Sequence, residues 1–203
     1  MIKGISFVQR YAICAFCCFF TFILAACEVG GTYTSVATPV PSPTVPPVHL
    51  SIYQGQGYFI GYPQNWMVTQ SSNGTVTFMN PQGVAFMVIE VLSNPGGELT
   101  SHAEIENRLR TNTFNLVAYR RISISPTIVM GGDTWNQGAA NGNIVIKERS
   151  ISVAGKMVLL ADNHPASSPA TNMFVIRYAA AQAVFDVANV TYFQQMLKSF
   201  KFV

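Results

Sequence analysis

Five prolines fall within nine positions, at 39, 41, 43, 46 and 47. Proline holds φ near about −65° and has no amide hydrogen, so neither a helix nor a sheet ladder can run through such a stretch. The surrounding segment, residues 28–48 (EVGGTYTSVATPVPSPTVPPV), is otherwise mostly Thr, Ser, Gly and Val, with single Glu, Tyr and Ala residues. It has too little apolar surface to build a core and favours polyproline II, extending at about 3.1 Å per residue. It reads as a semi-rigid stalk; a proline-motif ligand is the alternative. The chain is thereby divided into a short N-terminal piece and a C-terminal stretch of about 155 residues, the size of one independently cored domain.

The N-terminal piece has the layout of an export signal. Residues 1–10 (MIKGISFVQR) carry Lys3 and Arg10 and no acid, and residues 11–24 (YAICAFCCFFTFIL) form an apolar run uninterrupted by charge. Fourteen residues fall short of the roughly 20 that a bilayer-spanning helix needs. Small residues close the run at Leu24-Ala25-Ala26-Cys27, which suits a peptidase cleft. These four residues resemble the bacterial lipobox. That resemblance implies cleavage after Ala26, diacylglycerol joined to the Cys27 thiol as a thioether, and retention at the membrane by acyl chains such as palmitate. One acyl chain holds only marginally, and two or more hold stably. Residues 1–26 are thus expected to be a signal peptide, 27–48 a lipidated cysteine with its stalk, and 49–203 the globular domain.

Cysteine usage agrees. Cys14, Cys17 and Cys18 lie in the apolar run, and no cysteine follows Cys27. The domain therefore holds neither a disulfide nor a thiolate metal site. Charged residues make up 10% of the chain, against about 25% in typical domains. Without Lys3 and Arg10 the remainder has ten basic and nine acidic side chains. This is no electrostatic footprint for nucleic acid, and no polybasic patch for anionic lipid.

Beyond the stalk the pattern predicts an antiparallel meander. Strands are expected at Tyr58–Tyr62, Trp66–Gln70, Thr75–Met79 and Val84–Leu92, with turns at Asn73-Gly74 and Pro81-Gln82-Gly83. A capping box of Ser101 and Glu104 opens a helix to about Phe114, with Ile105 and Leu109 on one face. Further strands are expected at Leu116–Ile124, Thr127–Met130, Thr134–Ala140, Ile144–Val153, Lys156–Ala161 and Phe174–Ala180, with a hairpin turn at Ala154-Gly155. A terminal helix over Ala183–Ser199 carries Phe193, Met196 and Leu197. The expected class is α+β: a central antiparallel sheet of about seven strands flanked by helices.

Several of these segments resemble one family. Tyr58-Phe59-Ile60-Gly61-Tyr62-Pro63-Gln64-Asn65-Trp66, Gly131-Gly132-Asp133-Thr134-Trp135 and the terminal Phe193-Gln194-Gln195-Met196-Leu197-Lys198-Ser199-Phe200-Lys201-Phe202 are similar to motifs of the PsbP-like/Mog1-like domain. The resemblance spans about residues 50–203. It implies an antiparallel sheet sandwiched by helices, and non-enzymatic accessory roles; many bacterial members are lipoproteins.

The residues show no recognised catalytic pattern. From residue 28 onward there is no HExxH, CxxC or HxH, no G-x-S-x-G and no phosphate loop. His49 lies at the stalk boundary and His102 in a helix's first turn. Asp162 and His164 are close in sequence, and read as a strand end before a turn rather than as a base or metal pair. Asp133 reads as part of a glycine turn rather than a calcium loop. Glu104 and Arg108, at i and i+4, read as a solvated ion pair. Trp66 and Trp135 could line a groove or pack a core, and Arg120 and Arg121 should project to opposite faces of a strand. These four are the candidate ligand or partner contacts. Neither catalytic nor metal-binding residues are assigned, and no cofactor is expected. The expectation is a membrane-anchored, extracytoplasmic, non-catalytic accessory or scaffold lipoprotein that docks on an envelope or membrane-complex protein. The alternative is a binding module for a small apolar or aromatic ligand.

Overall fold

A computed structural model describes residues 48–146 and 151–203. The expected signal peptide, Ala26, Cys27 and nearly all of the stalk lie outside the described residues.

The first strands are β1 (Leu50–Gly55) and β2 (Tyr58–Pro63). Next come β3 (Met67–Gln70), β4 (Val76–Met79) and β5 (Ala85–Ser93). Asn73 makes the turn between β3 and β4, its side-chain oxygen accepting from the Thr75 amide at 3.1 Å, while Gly74 takes a φ of +83°. Helix α1 (Ser101–Thr111) follows. Then come β6 (Val117–Ile122), β7 (Thr127–Met130), β8 (Asp133–Ile146), β9 (Ile151–His164) and β10 (Asn172–Ala181). Gly131 and Gly132 join β7 to β8 with φ of +63° and +94°. Two consecutive positive φ values define the tight turn whose twist suits a hairpin.

Two antiparallel sheets result. The larger has eight strands in the order β3-β4-β5-β10-β9-β8-β6, with β7 also on β8. The smaller joins β1, β2 and a short terminal strand, β11 (Lys201–Phe202). The fold is α+β, as the sequence predicts.

Each face of the large sheet buries its own core. One face packs against the small sheet and the C-terminal helical segment through Ile60, Phe78, Met87, Leu160, Ile176, Phe193 and Phe200. The other packs against α1 through Ile105, Leu109, Leu159, Met173 and Val175. A sheet covered on both sides needs apolar residues at nearly every position, which explains the long apolar runs of β5 and β10, each broken by one charge, Glu90 and Arg177.

Four expectations need correction. The β8–β9 connection is not at Ala154-Gly155: both lie inside β9, opposite Asn143 and Gly142. Gly155 is a packing glycine, because a Cβ there would meet Ile144 Cδ1 at 2.2 Å. Thr100, not Ser101, caps α1, with its hydroxyl accepting from the Ala103 amide at 3.2 Å. The buried Ser101 hydroxyl instead accepts from Asn136 Nδ2 at 2.7 Å. The terminal helix is not uniform. It runs from a 3₁₀ turn (Gln182–Val184) into α2 (Phe185–Ala188), through a π turn (Asn189–Phe193), to α3 (Gln194–Ser199). Finally, β1 and β11 are additional strands. They form from the ends of the domain because β2 offers a free edge on each side.

Candidate functional site

Helix α1 lies over β8 and β9. Eleven residues at about 1.5 Å each make it roughly 16 Å long, too short to cover the whole of that sheet face. Beyond it is a cavity of about 520 Å³. Its apolar wall is Phe86 of β5, Ile144 of β8, Met157 of β9, and Phe114 and Leu116 from the segment after α1. Asn115, Asn143 and Arg177 are its polar lining.

Arg177 sits in the middle of β10, on the face it shares with Val175 and Ala179. Its guanidinium carbon is 4.9 Å from the centre of the Phe114 ring and 6.0 Å from that of Phe86. The Nε atom is enclosed and has no hydrogen-bond partner among the described residues. Burial holds the guanidinium below the usual arginine range; the charge of Glu90 opposes this and that of Arg108 adds to it. Glu90 is already engaged: its Oε2 accepts from Arg108 Nη1 at 2.8 Å. Arg108 Nε in turn donates to Glu104 Oε1 at 2.5 Å. Burial works against the Arg108 charge, yet the hydrogen bonds and charges of Glu104 and Glu90 prevail and hold it above its ordinary range. The expected solvated Glu104–Arg108 pair is therefore a mostly buried three-residue network, because the helix face that carries it lies against the sheet. Two aromatic neighbours return about 0.5–2 kcal/mol to a cation, less than the several kcal/mol lost when an ion leaves water.

A second cluster lies at the opposite core, where the end of β9 meets β11. Asp133, Asp162 and His164 each bring one ligand-capable atom within 4.8 Å of the other two. His164 Nδ1 and Asp133 Oδ2 are 2.9 Å apart. Asp162 Oδ2 is buried without a partner among the described residues. Burial, and then the charge of Asp133, push the Asp162 carboxyl up to about 6. Two carboxylates and an imidazole are the set among the described residues that could hold a divalent cation. Asp162 and His164 are in β9 rather than a loop, and alternation turns both toward the same face. Asn163 between them points the other way and donates to the Leu99 carbonyl at 2.9 Å. Asp133 joins them because the Gly131-Gly132 turn brings the start of β8 to this end of the sheet.

The sequence candidates fall elsewhere. Trp135 is wholly buried, stacked near Phe202, with its Nε1 donating to the Met130 carbonyl at 3.1 Å. Trp66 is buried against Tyr192 and Phe193. Both are core residues rather than groove walls. Arg121 is exposed and forms a two-pronged pair with Glu106 of α1, at 2.6 and 3.0 Å. Arg120 is exposed at the rim of a shallow depression with Asn141 and Gln182. Arg177 has a signal in the sequence: one charge within the otherwise apolar run Met173-Phe174-Val175-Ile176-Arg177-Tyr178-Ala179-Ala180.

Compared by sequence, the chain matches no family model and no curated protein. Its architecture, an antiparallel sheet covered on both faces in an α+β fold, defines the class to which solved structures can be compared. Among them it is similar to LpqN, involved in cell envelope biogenesis of Mycobacterium tuberculosis. The TM-score is 0.51 and the identity 11%, over 75% of this chain and 90% of that one. A protein from Bacteroides thetaiotaomicron aligns with a TM-score of 0.44 and 9% identity, over 77% of this chain and 48% of its own length. The likeness to LpqN is one of fold.

Proposed function

We propose that this protein is a cell-envelope lipoprotein of the PsbP/Mog1-like kind. It is held by a lipid on Cys27 at the outer face of the cytoplasmic membrane, and its domain is a non-catalytic accessory or scaffold module. The observation that carries this is the run Leu24-Ala25-Ala26-Cys27 at the end of an uncharged apolar stretch too short to span a bilayer. The proline-rich segment that follows suits a spacer between membrane and domain. The fold likeness to LpqN, a protein of cell envelope biogenesis, supports the same compartment. Cells fed an alkyne-tagged palmitate should label the wild-type chain and not Cys27→Ser. Mass spectrometry of the N-terminal peptide should find diacylglycerol on residue 27. A bare cysteine or an uncut leader there would overturn the anchor. For the accessory role, crosslinking in cells should recover an envelope or membrane-complex protein. Substrate turnover by the purified protein would overturn it.

One observation favours a second role for the same domain, the binding of a small apolar or aromatic ligand. The cavity beside α1 has a volume of about 520 Å³, within the roughly 300–1,000 Å³ usual for ligand sites. Its mostly apolar wall with a few converging polar groups has the composition of such sites.

A further inference from the structure

The cavity beside α1 has a charge at its wall that the fold itself does not pair. We infer that it takes an aromatic or alkyl acid, whose apolar body lies against Phe86, Phe114 and Met157 and whose carboxylate is held by Arg177. The inference rests on the reading that this cavity binds a ligand, and it adds which one.

Three observations carry it. First, Arg177 is a cation in a nearly solid apolar strand, and its Nε–H meets no acceptor among the described residues. A buried donor without a partner is costly, and a buried charge more so. Second, the carboxylates nearest in charge are occupied. Glu90 is bonded to Arg108, and Arg108 to Glu104. This network balances the charge of Arg177 from a distance and leaves its donors vacant. Third, the guanidinium lies on the cavity surface, beside two aromatic rings. The planar fork of arginine matches a carboxylate with two parallel hydrogen bonds. An apolar acid would thus cover the half-buried rings and bring a countercharge to the guanidinium through the part of it that lines the cavity. A neutral apolar molecule would cover the rings and leave the guanidinium without a countercharge. A cationic one would meet the like charge of Arg177.

The test uses the full chain in phosphatidylcholine nanodiscs, with empty nanodiscs as the blank. The probes are 2-naphthoate and its neutral analogue 2-naphthalenemethanol, followed by titration calorimetry. The acid should bind about 10–100-fold more tightly than the alcohol, the range expected for a charged hydrogen-bonded pair. Arg177→Gln should erase that preference by weakening the acid alone. Arg177→Met keeps the apolar stem, and should melt at or above the wild-type temperature. Equal binding of acid and alcohol to the wild type would overturn the role of Arg177 and leave the ligand cavity standing. Binding of neither probe up to about 5 mM would overturn both. Marked destabilisation by Arg177→Met would show that the fold already satisfies the guanidinium, and would also overturn the inference.

Discussion

The imidazole of His164 lies flat against the ring of Phe202, with 3.7 Å between ring centres and 2° between planes. The two residues belong to different sheets: His164 ends β9, and Phe202 is in β11, the last strand of the chain. The contact therefore closes one end of the core between the sheets. Phe202 also meets Trp135, Phe174 and Phe200, at 5.8, 4.9 and 5.1 Å between centres. Phe202→Ala should cost about 3 kcal/mol, the scale of removing a well-packed aromatic ring. Urea denaturation checks this, and a loss too small to measure would mean that β11 is only loosely attached.

Arg108 is shared by Glu90 and Glu104 at a mostly buried position. Arg108→Ala would leave two carboxylates facing each other without a cation. It should destabilise the protein by about 3 kcal/mol. Adding Glu90→Gln should recover part of this, since one of the stranded charges is then gone. Denaturant midpoints of the single and double variants provide the comparison.

Gly138 of β8 lies directly beneath α1. A Cβ there would lie 2.6 Å from Leu109 Cδ1 and 3.0 Å from Ile105 Cγ2. Gly138→Val should therefore push the helix outward and cost about 1–3 kcal/mol. Increased amide exchange in residues 101–111 should accompany the loss. Unchanged exchange there would show that the side chains of Leu109 and Ile105 make room by themselves.

Burial pushes the Tyr178 phenol up to about 12. An unfolded tyrosine ionises near about 10, so between these values the folded protein binds the extra proton. Stability must then fall as pH rises through that window, by about 2–3 kcal/mol for two units. Tyr58 is shifted in the same direction, chiefly by burial. Tyr178→Phe should flatten the decline between pH 10 and 12 while leaving Tyr58's share. Equal slopes for the two proteins would show that Tyr178 stays hydrated when folded.

Asp162 carries a buried, unpartnered oxygen beside Asp133. Asp162→Asn removes the repulsion between them at little change in shape. It should raise the stability of the metal-free protein by about 1 kcal/mol near pH 7. A lower melting temperature would mean that the carboxylate is already satisfied.

Much of the fold was legible locally. Asn73-Gly74, Pro81-Gln82-Gly83 and Gly131-Gly132 announce their turns, because each needs backbone angles that few residues adopt. β7 and most of β5 and β10 follow from apolar runs, and α1 from the spacing of Ile105 and Leu109. Gly155 misleads for the same reason that it matters: glycine marks a turn and a close approach alike, and only the position of Ile144 across the ladder separates the two. Glu104 and Arg108 likewise read as a surface pair until the sheet beneath them is known.

Short-range chemistry thus determined the class of the domain and most of its strands and turns, because dihedral preference and the alternation of side chains act between near neighbours. Register between distant strands decided the rest. It brought Asp133 to His164 across 31 positions, and to Asp162 beside it, placed Trp66 and Trp135 in the core, and left Arg177 on a cavity wall without a partner among the described residues. Such pairings depend on which faces meet when two sheets and a short helix close on one another, and no local stretch of the chain carries that information.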